Sequence, residues 1–268
     1  MKSLQLSQIW IYPVKSLGGI ALPTAQVQPK GLTHDRRWML VDEQGGFMTQ
    51  RNYPEMALFH LSTDGARYII SHGSDQRELA SGTASDQTFE STIWNDIVHV
   101  REVREELSRW FSQKLGLSCR LVYFPENNPR PVDPAYKVND DQVSLADGFP
   151  FLIIGQGSLD ALNRRLETPL PMKRFRPNFV FTGGDPHEED TWKKFTIGAN
   201  RFAGVKPCAR CVMTTVDPET GKKGVEPVKT LATYRRRDNN IYFGQNVIAL
   251  DHGAVSVGDT ITVTDISA

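Results

Sequence analysis

From residue 178 onward the chain is cut by Gly, Asp and Pro turns into short runs of β-branched and aromatic residues, at 178–182, 196–197, 202–205, 212–216, 241–243 and 255–263. A run of this length cannot bury an apolar face alone, so the runs must pair. With few helices between them, closure into a barrel is the arrangement that leaves no unpaired edge. The sequence has no self-similar period, which speaks against a solenoid or propeller. The expected fold class is therefore mainly β with some α+β elements, and 268 residues hold one large domain or two modest ones.

The first half is organised differently. Leu4 and Leu6, then Ile9 and Ile11, give an opening strand that Pro13 ends. The runs 38–42 and 47–51 flank Glu43, Gln44, Gly45 and Gly46 in a hairpin pattern. Residues 62–88 are poor in apolar side chains and read as surface loops and short edge strands. Leu107, Trp110, Phe111 and Leu115 follow helical spacing, with Gly116 at the C-cap position, which predicts a helix over 105–115. The Pro-rich stretch 125–134 reads as a linker or lid, and the expected domains are 1–120 and 121–268. Beyond it, 149–154 reads as a buried strand, and Leu159, Leu162 and Leu166 predict a second helix with Ser158 as its N-cap.

Lys plus Arg total 31 and Asp plus Glu total 31, so the chain lacks the basic excess of a non-specific polyanion binder, and nucleic acid is disfavoured as a partner. No apolar run approaches the ~20 residues that cross a bilayer. Gln and Ser interrupt the start, MKSLQLSQIWIYPVKS, where a signal peptide needs an apolar core. A cytoplasmic protein with no membrane partner is expected. Cys119, Cys208 and Cys211 are too few for a disulfide scaffold and suit a reducing compartment.

Cys208 and Cys211 form a C-x-x-C, a spacing that fits a redox dithiol, half of a zinc site, or two thiols with separate jobs. Arg210 and Lys206 flank Cys211, and cationic neighbours favour the thiolate that a soft metal or an electrophile requires. A zinc site needs a further pair of ligands, and Cys119 has no ligand-spaced histidine near it. Lys173, Arg174 and Arg176 with Asn178 place cations and an amide just before a strand, where they suit an anion and a heterocycle edge. Lys15 and Arg36 stand at similar strand ends, and Gln245 and Asn246 are two amides after a glycine. Each of these taken alone is accounted for by a solvated face or by hydrogen-bonded structure. Residues 146–150, Asp42 and Asp217 read as turns, and 235–237 as a solvated helix end. The chain has no P-loop, no G-x-G-x-x-G and no metal-spaced histidine pair, so ATP and dinucleotides lack their cradle, and pyridoxal phosphate is not indicated.

Taken in order, I-Y-P-V-K-S at 11–16, D-R-R-W at 35–38, F-R-P-N at 175–178, K-P-C-A-R-C at 206–211, T-T-V-D-P at 214–218 and F-G-Q-N at 243–246 resemble the MOSC superfamily. Within it they resemble the YcbX-type branch, which is similar to the mitochondrial amidoxime-reducing component. The resemblance runs over nearly the whole chain. It implies a MOSC β-barrel preceded by an N-terminal β-barrel-like domain. It also implies a molybdenum cofactor (Mo-molybdopterin) enzyme that reduces N-hydroxylated compounds, such as hydroxylaminopurine base analogues, to amines, a detoxifying reaction. By motif match Cys211 is implied as the thiolate ligand of molybdenum. Lys15, Arg36, Arg174, Arg176, Asn178, Arg210, Gln245 and Asn246 would meet the cofactor's phosphate and pterin edges. Longer YcbX-type proteins end in a ferredoxin-like domain, whereas this chain stops at Ala268 without a four-cysteine motif, so a separate reductase or ferredoxin-type protein is expected to supply electrons. The alternative is a persulfide carrier without a catalytic metal.

Overall fold

The computed structural model describes residues 3–65, 67–79 and 88–267. Seven strands form a barrel: β1 (Leu4–Ile11), β2 (Phe151–Gly155), β3 (Phe179–Thr182), β4 (Trp192–Ile197), β5 (Asn200–Ala209), β6 (Asn240–Ala249) and β7 (Thr260–Ile266). They pair in the order β2, β3, β1, β7, β4, β5, β6, and β6 pairs back to β2 to close the ring. β2 and β3 run parallel, with Ile153 opposite Phe179. The other neighbours are antiparallel.

The spacing of the first strand explains one detail of this ring. Leu6 and Ile9 are three residues apart, so strict alternation would send them to opposite faces. Both are buried, because a bulge between Leu6 and Gln8 resets the phase against β3. The interior is filled by aromatic rings. Phe151 stacks on Phe179 at 5.5 Å and Phe195 on Phe202 at 5.6 Å, while Phe202 meets Phe151 and Phe179 edge-on at 5.9 and 5.6 Å.

Smaller sheets surround the barrel. Trp38–Val41, Arg120–Tyr123, Asp96–Glu102 and Thr88–Ile93 form a four-stranded sheet, and His60–Thr63, Tyr68–His72 and Asp75–Leu79 form a three-stranded meander. The meander occupies part of the segment expected to be loops and edge strands; residues 66 and 80–87 of that segment lie outside the described residues. Helix α1 (Glu105–Leu115) ends where the sequence predicts, at Gly116 with φ +68. Its Trp110 and Phe111 share one core with Leu6 and Phe179 of the barrel, so the N-terminal region and the barrel pack around a common interior. Among the described residues no helix is long and apolar enough to cross a membrane.

Three local expectations are corrected. The hairpin expected over 47–51 is only begun: Phe47 bridges Val41 and the Met48 N–H donates to Leu40 O at 2.9 Å, after which the chain turns away with Asn52 and Tyr53 N–H groups on Thr49 O. Residues 212–216 are not a strand. Val212–Thr215 is a 3-10 turn in which Thr214 and Thr215 hydroxyls bond back to Cys211 and Val212 carbonyls, and local side-chain bonding overrides β propensity. Ser158 does not cap a helix. Helix α2 (Gln156–Asn163) starts two residues earlier, and the fully buried Ser158 hydroxyl donates to the Glu189 carboxylate at 2.9 Å.

Glu189 also accepts the Gly155 N–H at 3.2 Å and so joins α2 to the end of β2. Burial pushes its carboxyl up from 4.5 to about 7. A group raised in the folded state stabilises fully below its unfolded pKa, and that contribution is lost as pH climbs through the folded value. The chain should therefore lose part of its stability between about pH 4.5 and about pH 7, and Glu189→Gln should flatten that slope in denaturant midpoints measured across the window. An unchanged slope would assign the titration to another group.

Candidate active site

Three loops at one end of the barrel build the site. The first follows β1: Val14 bridges Trp38, the Lys15 N–H donates to Trp38 O at 2.7 Å, and Ser16 takes φ +65. The second enters Trp38–Val41 and carries Asp35 and Arg36. The third leads from the 3-10 turn Met172–Phe175 into β3 and carries Arg176 and Asn178. Arg36 at φ +51 and Arg176 at φ +56 both occupy the left-handed region, a cost that side chains bear mainly at functional sites.

Asp35, fully buried, ties these loops together. Its Oδ1 accepts the Tyr12 N–H at 2.7 Å, and its Oδ2 accepts Arg36 Nη1 at 2.5 Å and Asn178 Nδ2 at 3.0 Å. Asn178 Oδ1 accepts Leu152 N–H and Arg36 Nη1, and Nδ2 also donates to Trp10 O, each at 3.2 Å. With both donors and both lone pairs used, Asn178 positions Arg36 rather than offering a free edge. The guanidiniums of Arg36 and Arg176 lie over the Tyr12 ring at 4.3 and 4.1 Å. Burial pushes the Tyr12 hydroxyl up to about 12. Burial first, and Arg36 second, bring Arg176 down to about 10. Arg176 Nη1 donates to Leu17 O at 2.6 Å, but its buried Nη2 has no partner.

A cleft of about 330 Å³ opens against these loops. Its wall holds five cations, Lys15, Arg36, Arg51, Arg176 and Arg210, against one carboxylate, Asp147, and it also includes Cys211 and Asn246. Lys15 Nζ donates to Leu145 O at 2.9 Å and to Asp147 Oδ1 at 2.5 Å, and burial lowers it to about 8. Arg51 donates to Asp147 Oδ2 at 2.6 Å. Burial by itself would raise Asp147, but Lys15 and Arg51 outweigh it and hold the carboxyl far below the usual range. The surplus of buried positive charge and the orphaned Nη2 suit an anionic ligand.

The two cysteines part company at the end of β5. Bulges at Gly204/Lys206 and Pro207/Ala209 bend the strand where Pro207 lacks a ladder donor. Cys208 packs against the cluster containing Phe243, accepts Arg210 Nη1 at 3.0 Å and, like Cys211, borders the cleft. Cys211 starts the turn Val212–Thr215 and lies within electrostatic reach of the Arg51 guanidinium. Lys206 and Arg210, the cations adjacent in sequence, go elsewhere: Lys206 Nζ lies over the Tyr136 ring at 4.2 Å, and Arg210 Nη2 donates to Phe175 O at 2.5 Å.

Thus Lys15, Arg36, Arg176, Asn178, Arg210, Cys211 and Asn246 come together, and two candidates do not. Arg174 donates to Thr214 O at 3.3 Å and Asp217 Oδ2 at 2.9 Å and faces a separate cavity of about 200 Å³. Gln245 is buried between strands, opposite Pro207 and Ile153. The structure adds Arg51, Asp147 and Trp94 to the cleft. Asp147 reads in sequence only as a turn residue, and Arg51 as the end of a strand; neither carries a local signal of what it faces.

Residues 140–262 match the MOSC domain and residues 3–118 the MOSC N-terminal beta barrel domain. Mitochondrial amidoxime-reducing component 1 of Mus musculus is 33% identical over 275 residues, which cover 96% of this chain and 81% of the relative. The chain belongs to the MOSC family. Its N-terminal β-barrel domain precedes the MOSC domain, as the sequence motifs imply. The Homo sapiens amidoxime-reducing component 1 is 32% identical over 277 residues, covering 96% of this MOSC protein and 82% of the human one. The molybdenum cofactor sulfurase of Arabidopsis thaliana is 32% identical over 263 residues, 89% of this chain but 32% of the plant protein.

The charge of the cleft has a direct consequence for this MOSC protein. Inorganic phosphate added to the cofactor-free chain should raise its thermal midpoint, by the equivalent of about 2.7 kcal/mol at 100-fold excess over Kd. Arg176→Gln should abolish that shift and Arg174→Gln should keep it. The reverse pattern would locate the anion site at Arg174.

Proposed function

We propose that this protein is a molybdenum-cofactor-dependent reductase of N-hydroxylated compounds. The observation that carries the reading is Cys211, a thiol on the wall of a cleft whose charged groups are arranged for an anion, beside Cys208, whose sulfur already accepts Arg210 Nη1. Among the described residues no group of three or more His, Cys, Asp or Glu side chains could hold a metal ion. With Cys208 engaged by Arg210, Cys211 offers one soft ligand, which fits a metal that arrives chelated by an organic carrier. Lys15, Arg36 and Arg176 would hold the carrier's phosphate, Arg210 and Asn246 its polar edges, and Cys211 the metal.

When bound, the cofactor supplies a metal centre able to pass two electrons to an N–O bond. The overall change is R–NHOH plus two electrons and two protons to R–NH2 plus water. The chain's own residues orient the reactants. Arg51 sets a positive charge near Cys211, Asp147 anchors Arg51 and Lys15 together, and Asn178 and Asp35 keep Arg36 from swinging out of the cleft. Electrons would come from a separate reductase or ferredoxin-type protein, since the chain has neither a dinucleotide cradle nor a cluster-binding cysteine set. Three unpaired cysteines fit a reducing compartment such as the cytoplasm.

The likeness to a plant cofactor sulfurase favours one other reading, in which Cys211 carries a persulfide without a catalytic metal. Both readings need Cys211, and only the first needs bound molybdenum. Protein made in a cofactor-competent host should contain molybdenum and reduce N-hydroxylamines with an artificial donor. Cys211→Ser should lose more than the roughly 10–100-fold that follows from disturbing an outer-shell contact. Cys208→Ser should stay active, at a stability cost of roughly 0.5–3 kcal/mol. Equal loss in the two variants would return the pair to a dithiol, and a metal-free, active protein would favour the persulfide carrier.

A further inference from the structure

At the mouth of the cleft a residue and its backbone are mismatched. The strands Thr88–Ile93 and Asp96–Glu102 pair with Ile93 opposite Asp96, which leaves a two-residue hairpin loop of Trp94 and Asn95. Trp94 takes φ +53. Two-residue hairpin loops favour glycine or asparagine at left-handed positions, and a bulky side chain there is strained. Burial does not account for the choice, because Trp94 is 48% exposed. Strain of this kind persists where the surroundings hold it and where it serves a site.

The surroundings do hold it. The Arg51 guanidinium lies over the Trp94 ring at 4.8 Å, the Phe47 ring meets it edge-on at 5.2 Å, and Trp94 Nε1 donates to Asp147 Oδ1 at 3.4 Å. Arg51 is the same side chain that bonds Asp147, and Arg51, Trp94 and Cys211 all line the one cleft. Asp147, Gly148 and Phe149, which line the cleft, also border a second, open hollow of about 500 Å³ bounded by Tyr136, Arg130 and Lys206.

We infer that Trp94 is a specificity-determining platform, whose exposed ring surface stacks planar aromatic N-hydroxylated substrates at the cleft mouth and favours them over aliphatic ones. The inference rests on the reductase reading above and names the substrate class of that same site. Stacking of a base on an aromatic side chain corresponds to about 10-fold in affinity. The indole is clamped by Arg51 and Asp147, so little conformational freedom is lost when a ligand lies on it.

The test uses the molybdenum-loaded protein with an artificial electron donor, an N-hydroxylated purine base and an aliphatic amidoxime. Trp94→Gly should raise KM for the purine about 10-fold more than KM for the aliphatic compound. Its thermal midpoint should not fall, because glycine relieves the strained φ. Trp94→Phe should retain most of the aromatic preference. An unchanged ratio of the two KM values in Trp94→Gly overturns the platform alone. Loaded wild-type protein that reduces neither compound overturns the reductase reading and the platform with it.

Discussion

The carboxylate of Asp35 is the constraint on which the rest of the site depends. It is fully buried, yet it bonds the backbone after β1, the guanidinium of Arg36 and the amide of Asn178. Those groups belong to three loops far apart in sequence. Without that negative charge, Arg36 and Arg176 would share the Tyr12 ring as two like charges in a low-dielectric setting. With it, one cation is compensated and the other, Arg176, keeps an unpartnered nitrogen. Structural electrostatics and ligand electrostatics are thus one system: the fold neutralises only part of the charge it buries.

The barrel gives this arrangement its rigidity. β1, from the start of the chain, lies between β3 and β7, so the N-terminal loop carrying Lys15 is anchored by the same ring that delivers Asn178 and the Cys208–Cys211 segment. The bulges in β1 and β5 are the adjustments that make this work. One returns both apolar phases of β1 to the interior, and the other bends the end of β5 so that its two cysteines face different surroundings. Both cysteines border the cleft, but Cys208 also packs against the Phe243 cluster and accepts Arg210, which Cys211, three positions along the chain, does not.

Much of the fold was legible because it follows from local pattern. The strand at 4–11, the helix at 105–115 with its Gly116 cap, and the short runs that became barrel strands all show in apolar spacing and turn residues. Where the pattern misled, tertiary bonds had taken over. Ser158 was drawn inside its helix by Glu189, and 212–216 curled because threonine hydroxyls bonded back to carbonyls one turn away. Of the site, Lys15, Arg36, Arg176, Asn178, Arg210, Cys211 and Asn246 could be nominated from motifs. Arg174 and Gln245, which share those motifs, lie off the cleft because neighbouring residues in a turn or strand point in different directions.

By itself the sequence determined the mainly β architecture and the motif set of the MOSC family, since each of these resides in composition, spacing or short runs of residues. Only the tertiary structure decided which cation meets which acid, that Arg51, remote in sequence, shares the cleft with Cys211, and that Asp147 and Trp94 belong to it. The physical reason is that a side-chain pair separated by tens of residues leaves no periodic trace in the chain. Its energy appears only when folding brings the partners within a few ångströms and removes the water between them.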